Sequence, residues 1–233
     1  MRFRAGAWRA PCHAWANWGW FPEQPWRSPW PGGEPRYGPR DAPELDKIRA
    51  LGLPFRLAGG YGHAGKLAEA RGLGAAGVQV GTPFAFCDES GLRPKLKRQA
   101  LSLSRLGRAR VFTDPVASPT GFPFNGSQTQ HTLSDPADYH ARRRICDIGY
   151  LRRLYRRPNG SIAYRCPAEP LAHYLRKGGI AEQTVGRKCV CNGLPATVGI
   201  GQLRAEGPDE VPLITAGDDL ACLARFVRNG CDS

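Results

Sequence analysis

The sequence predicts an α/β fold built from parallel βαβ units, because two strand-like segments that each end in glycine lie one helix apart. The first segment is FRLAGGYG at 55–62 and the second is GVQVGTPFAF at 77–86. Strands separated by a helix are expected to be parallel neighbours in one sheet. In a (β/α)8 barrel, the loops after the late strands commonly hold a phosphate, and glycine lets backbone amides come close to it.

Strand-like and helical patterns alternate from residue 43 onwards, which favours βαβ connections. The first helix carries apolar residues at helical spacing and stops at Gly52. The elements expected along this stretch are a helix over 43–52, a strand ending at Gly59, a helix over 63–74, a strand over 75–82, a helix over 93–107 and a strand over 109–114.

The pattern changes in the second half of the chain, which predicts a mixed, mainly helical C-terminal extension. SPTGFPF at 118–124 has the chemistry of a turn. Ser134 is expected to be the N-cap of a helix that runs through Arg144. The stretch 145–207 is poorly periodic, whereas 217–229 has the pattern of an amphipathic α-helix.

All six tryptophans lie within the first 36 residues, interleaved with Pro, Gly and Arg. The prolines there would break a helix or a strand, and no period of either kind is present. This segment is therefore an aromatic arm that binds a partner by stacking, an irregular tail, or a stretch translated in the wrong frame. Three parts result: 1–36, the βα units over 37–124 and the extension over 125–233.

The composition is that of a globular protein, with 41% hydrophobic and 23% charged residues. No apolar run is long enough to span a bilayer and no secretory signal is evident, so we expect a cytoplasmic protein without a membrane partner. The eight cysteines are expected to be reduced thiols in this compartment. A net charge of +13 favours anionic partners, but no nucleic-acid-binding module is present.

The two glycine turns are the predicted site. The amides of Gly59, Gly60, Gly81 and Thr82, together with the Thr82 hydroxyl, could converge on one phosphate if the strands are neighbours. Gln79 shares a strand face with Gly81 and could bond to a ring edge or a ribityl hydroxyl. The alternative is that the glycines only permit tight turns between strand and helix.

Several segments resemble the C-terminal part of the nitronate monooxygenase family, formerly called 2-nitropropane dioxygenases. The resemblance covers roughly 33–227, which is most of the chain. It is closer to the larger bacterial branch, which is similar to the enoyl reductases of polyunsaturated-fatty-acid synthases. Besides the two glycine-ended segments, it rests on YGPRD (37–41), VFTDPVASPTGFPF (111–124), ICDIGYLR (145–152), YRCPAEP (164–170), CVCNGL (189–194) and PLITAGDDL (212–220).

The resemblance implies the late βα units of an FMN-dependent (β/α)8 barrel. Carried over residue by residue, Gly59 and Gly60 match the first phosphate-binding turn of the family. The second turn is matched by Gln79, Val80, Gly81 and Thr82. The family has a full barrel and a catalytic histidine upstream of this region, and residues 1–31 match neither, so no catalytic residue is assigned.

Three functions follow from the resemblance. The first is an FMN-dependent oxidoreductase of nitronate monooxygenase type, truncated or frame-disrupted at its N-terminus, that acts on a nitronate. The second is a flavin-dependent enoyl reductase that acts on carrier-bound acyl chains with a nicotinamide donor. The third is a non-catalytic remnant that retains the phosphate-binding lobe.

Two further clusters have alternative interpretations. Eight arginines and one acid lie between Arg142 and Arg165, either as a solvated surface or as a docking face for an acidic carrier protein or a phosphorylated substrate tail. Four cysteines either remain free thiols or provide a tetrahedral zinc site, and their loose spacing favours free thiols. These cysteines are Cys146, Cys166, Cys189 and Cys191.

Overall fold

A computed structural model describes residues 6–7, 33–35, 37, 39–63, 65–203 and 209–227. The fold is mixed α/β, with small sheets and short helices, and no sheet of the described residues closes into a barrel. The strands and α-helices are β1 (Gly6–Ala7), α1 (Leu45–Ala50), β2 (Arg56–Ala58), α2 (Lys66–Gly72), β3 (Gly77–Gln79), α3 (Thr82–Ala85), α4 (Pro94–Arg105), β4 (Val111–Asp114), β5 (Phe124–Ser127), α5 (Pro136–Ala141), β6 (Arg153–Arg156), β7 (Ile162–Arg165), α6 (Leu171–Arg176) and α7 (Val190–Ala196). Short 3₁₀ helices lie at Pro39–Asp41, Ala181–Thr184 and Asp218–Phe226.

The two glycine-ended strands are parallel neighbours, as the sequence predicts. In the sheet β1-β2-β3 both strand pairs are parallel, and Leu57 of β2 lies opposite Val78 of β3. Leu57 is fully buried, and Arg56 beside it is exposed, which keeps its charge in solvent. Strand β1, which pairs with β2, lies in the tryptophan-rich segment, where the sequence shows no strand period.

The expectation of a third parallel strand is wrong. β4 pairs antiparallel with β5, with Thr113 opposite Asn125, and neither strand joins the parallel sheet. The buried Asp114 explains the change, because its carboxylate accepts hydrogen bonds from the backbone amides of Val116 and Ala117, each at 2.9 Å. These bonds turn the chain directly after β4, and the turn segment at 118–124 then leads it back alongside.

Each predicted helix is shorter than its expected range, and two of them differ in a further respect. α5 has Asp135 as its N-cap instead of Ser134, with the carboxylate accepting from the Ala137 amide at 3.0 Å, and it ends at Ala141. Pro136 explains this register, because proline fits the first helical position and keeps the preceding residue extended. The C-terminal segment Asp218–Phe226 is a 3₁₀ helix instead of an α-helix.

Ser104 of α4 accounts for the 3₁₀ geometry of the C-terminal segment. Its hydroxyl donates to the Ala221 carbonyl at 2.9 Å and accepts from the Ala224 amide at 3.0 Å. The Ala221 carbonyl and the Ala224 amide thereby bond to Ser104 instead of to the backbone partners that they would have in an α-helix. The segment packs on α4 in a hydrophobic cluster that contains Phe86, Leu96, Ala100, Ala109, Ile214, Ala216, Leu220 and Leu223.

Two smaller hydrophobic clusters complete the described core. One surrounds the parallel sheet and contains Phe55, Leu57, Ala70 and Ala75, and the other joins Leu133, Val190 and Leu213. None of the described helices has the length and apolar character needed to cross a membrane. The C-terminal segment reaches the glycine turns, where the Gly217 amide donates to Thr82 Oγ1 at 2.8 Å and Arg225 donates to the Gly62 carbonyl at 2.7 Å.

Candidate functional site

The carboxyl ends of β2 and β3 lie side by side. Ala58 is paired with Gln79, so the residues that follow, Gly59 and Val80, leave the sheet at the same edge. Gly59 and Gly60 have φ values of 84° and 77°, in the left-handed region that favours glycine. The first turn therefore requires its glycines, whatever ligand it holds.

The second turn leaves space where a ligand could approach. A Cβ atom added to Gly81 would meet no other atom within 4 Å. Gly81 has a φ of −108°, so glycine is not required there by the backbone. Thr82 is buried, and its Oγ1 accepts a hydrogen bond from the Gly217 amide at 2.8 Å. A threonine hydroxyl can also donate one hydrogen bond, and no described residue is recorded as its acceptor.

Gly62 lets the two turns pack against each other, a role that the sequence analysis missed. A Cβ atom added to Gly62 would lie 3.0 Å from Pro83 Cγ and 3.1 Å from Val80 Cγ1. A side chain on Gly62 would therefore require the side chains of Pro83 and Val80 to move by a few tenths of an ångström. Val80, a predicted site residue, thus contacts the first turn with its side chain, and exposed Gln79 remains accessible to a ligand.

An acidic side chain borders the turns, and the sequence analysis did not assign it. Asp219 Oδ2 lies 3.2 Å from a Cβ position on Gly62, and Oδ1 lies 4.0 Å from one on Gly60. Arg225 accompanies it, with Nη2 at 3.9 Å from Asp219 Oδ1 and donating to the Gly62 carbonyl at 2.7 Å. The motif GDD at 217–219 was the available signal, but nothing local shows which turn it approaches.

The neighbouring Asp218 shows the electrostatic character of this border. Partial desolvation raises the pKa of its carboxyl above the ordinary value, and the nearby carboxylates of Glu34 and Asp219 raise it further. A bound anion close to Asp218 would raise this pKa again, because like charges disfavour the ionised form. The border therefore opposes a phosphate unless Arg225 compensates for its charge.

The residues present fit a phosphate in their backbone geometry. Two parallel strand ends meet, two glycines adopt left-handed conformations, and the space beside Gly81 is open. Asp219 opposes the same group by its charge, and the cation next to it is Arg225. Exposed His63 follows the first turn, but nothing places it against a reacting atom, so no catalytic side chain is assigned.

The four cysteines considered for a zinc site, Cys146, Cys166, Cys189 and Cys191, are free thiols in the structure. Burial raises the pKa of Cys166 to about 11 and that of Cys189 to about 12, so both are held in the neutral form. Among the residues that the structure describes, no group of three or more His, Cys, Asp or Glu side chains is arranged to hold a metal ion.

The arginine cluster is divided between the interior and the surface. Arg142 is buried and pairs with Glu210 at 3.0 Å. Arg165 donates to the Lys177 carbonyl at 2.9 Å, and its guanidinium lies 4.9 Å from the centre of the Tyr155 ring. Arg142 and Arg165 therefore contribute to the fold, and so does Arg153, which donates to the Pro119 carbonyl at 2.7 Å.

Comparisons with known proteins add no further constraint on this site. No family model, curated protein or solved structure matches the chain. The function is therefore inferred from the residues of the two glycine turns, from the segments that resemble a known family and from their arrangement in the structure.

Proposed function

We propose that this chain is the FMN-binding part of an oxidoreductase of nitronate monooxygenase type, with its βα units belonging to a partial (β/α)8 barrel. The observation that carries the proposal is the pairing of β2 with β3, which brings Gly59 and Gly81 to one sheet edge. A cytoplasmic location and a nitronate substrate belong to the same proposal.

The residues of the two turns have separate roles in it. The amides of Gly59, Gly60 and Gly81 and the hydroxyl of Thr82 would hold the FMN phosphate, since backbone amides suit an anion. Exposed Gln79 would bond to the ribityl chain or a ring edge. The bound flavin would supply the redox chemistry at its N5 atom, and the protein would bind it, orient it and limit access of water.

Two alternatives have an observation in their favour. Basic side chains of the segment 143–152 line a cavity, which favours an enoyl reductase that accepts a carrier-bound acyl chain. The carboxylate of Asp219 beside the first turn, and the departure of β4 from the parallel sheet, favour a non-catalytic remnant. The two enzymes differ in their reductant, because a nitronate reduces the flavin in one and NAD(P)H in the other.

FMN binding by the purified chain tests the proposal. Flavin fluorescence is titrated with protein, and the absorbance spectrum is recorded after desalting. Gly81→Val should weaken FMN binding at least about tenfold by filling the open space, because it removes charge-assisted hydrogen bonds to the phosphate. Gly77→Val is the matched control, since a Cβ there also meets nothing within 4 Å and the residue lies at the opposite end of β3.

The outcome separates the candidates. Flavin that is retained by the wild-type chain and by Gly77→Val, and lost with Gly81→Val, supports the phosphate cradle. A folded chain that does not bind FMN, even when FMN is added in excess, would overturn the enzyme proposal in favour of the remnant. Anaerobic addition of a nitronate or of NADPH to the flavin-loaded chain then distinguishes the two enzymes.

A further inference from the structure

A cavity of about 770 Å³ lies in the C-terminal extension and shares no residue with the glycine turns. Its size is within the range of sites for small organic ligands, roughly 300–1,000 Å³. Its ionisable lining consists of Arg143, Arg144, Arg152, Glu169, His173 and Lys177. The segment before β6, the turn after β7 and the helix α6 with its C-terminal end meet around it.

The charge of this cavity is strongly positive. Four permanently cationic side chains face a single carboxylate, that of Glu169. Lys177 Nζ binds this carboxylate at 2.6 Å, and the Glu169 side chain is only 4% exposed, so the acid is neutralised within its own ion pair. Within the described part of the chain, no carboxylate forms a salt bridge with any of the three arginines in the lining. An anion of more than one charge is the complement of such a site.

Two of the arginines are held by contacts that leave donors for a ligand. Arg144 Nη2 donates to the Tyr139 hydroxyl at 3.1 Å, with the guanidinium 5.6 Å from the centre of that ring. Arg152 Nη2 lies 3.7 Å from Cys146 Sγ. A guanidinium has five N–H donors, and each of these contacts uses one of its nitrogens. Side chains fixed in this way lose less conformational entropy when an anion binds.

We propose that this cavity binds the phosphate group of a small organic phosphate ester. A phosphate ester carries about −1.5 to −2 charges and three acceptor oxygens, and arginine binds such groups in a bidentate manner. Ile145, Pro170 and Leu171 also line the cavity, and they would contact the apolar part of the ligand. The site is separate from the proposed flavin cradle and does not depend on it.

Phenyl phosphate is the probe, because it combines a phosphate ester with a small apolar group. Its binding to the full chain is measured by calorimetry, and Arg152→Gln should weaken it by about tenfold or more. Arg98→Gln is the matched control, because it removes the same charge from an exposed position on α4 outside the cavity. The thermal midpoint of each variant verifies that it is folded.

Cys146 provides a local measurement, because it lines the cavity and is partly exposed. Its alkylation by iodoacetamide, followed by mass spectrometry, should slow when phenyl phosphate is bound, whereas alkylation of exposed Cys222 should not change. If Arg98→Gln weakens binding as much as Arg152→Gln, the anion is attracted only by the net charge and the proposal fails.

Two other results would also overturn the cavity site. One is a folded chain that does not bind phenyl phosphate, and the other is loss of phenyl phosphate binding in folded Gly81→Val, which would place the anion in the glycine turns. Gly81→Val separates this inference from the proposed function. The variant should leave phenyl phosphate binding unchanged whether or not the chain binds flavin, because Gly81 does not line the cavity.

Discussion

The buried ion pair of Arg142 and Glu210 allows a sharp test of how the extension is stabilised. Arg142 Nη1 lies 3.0 Å from Glu210 Oε1, and each side chain is only 1% exposed. Glu210→Gln leaves the arginine charge buried without its counter-ion, and arginine does not lose its proton. Removing one partner of such a pair costs about 3–5 kcal/mol, so we expect the free energy of unfolding to fall by that amount.

The double variant makes the test more demanding. Arg142 Nε and Nη2 are buried and have no hydrogen-bond partner among the described residues, and each such donor costs about 1–3 kcal/mol. Arg142→Met combined with Glu210→Leu removes both charges and these unpaired donors. We therefore expect the double variant to be more stable than Glu210→Gln and close to the wild-type chain.

Urea unfolding followed by circular dichroism measures both effects, with the slope m verifying that each variant unfolds in the same way. Arg143→Met is the control, since this neighbour is exposed and its removal should change stability by no more than about 0.5 kcal/mol. A loss below about 1 kcal/mol for Glu210→Gln would refute the burial argument. The argument would also be refuted if the double variant lost as much free energy of unfolding as Arg142→Met and Glu210→Leu lose together when each is measured alone.

Three further predictions concern two buried groups, Lys97 and Cys166, and the partly desolvated carboxyl of Asp218. Lys97 is buried and donates to three backbone carbonyls at 2.8–2.9 Å, so Lys97→Met should cost about 2–3 kcal/mol in urea unfolding, whereas exposed Lys95→Met should cost under about 0.5. Because burial raises the pKa of Cys166 to about 11, a disulfide reagent at pH 8 should label exposed Cys222 before Cys166. Equal labelling rates for Cys166 and Cys222 in the folded chain would contradict this prediction. The pKa of Asp218 is raised by partial desolvation and by neighbouring carboxylates, so the folded chain holds this proton more tightly than the unfolded chain. The free energy of unfolding therefore falls as pH rises through the pKa of Asp218 in the folded chain. Asp218→Asn should therefore stabilise the chain at pH 7 and lose this advantage at low pH, and unfolding curves that show the same gain at both pH values would exclude the effect.

The sequence alone was sufficient where short-range patterns decide structure. The apolar runs at 55–58 and 77–80, with a helical segment between them, predicted two parallel neighbouring strands, and β2 and β3 pair in this way. The glycines that end the first strand indicated a backbone conformation that other residues rarely adopt, and Gly59 and Gly60 have positive φ. These features depend on residues within one βα unit, where propensity and spacing contain the information.

The tertiary structure decided the features that depend on contacts between distant segments. The Gly217 amide bonds to Thr82, and Ser104 bonds to Ala221 and Ala224, so the C-terminal segment lies against the glycine turns. Only this packing shows that the segment brings an aspartate to a turn expected to bind an anion. A charge pattern in the sequence contains no distance, and the electrostatic energy that decides whether the cradle accepts a phosphate depends on distance and burial.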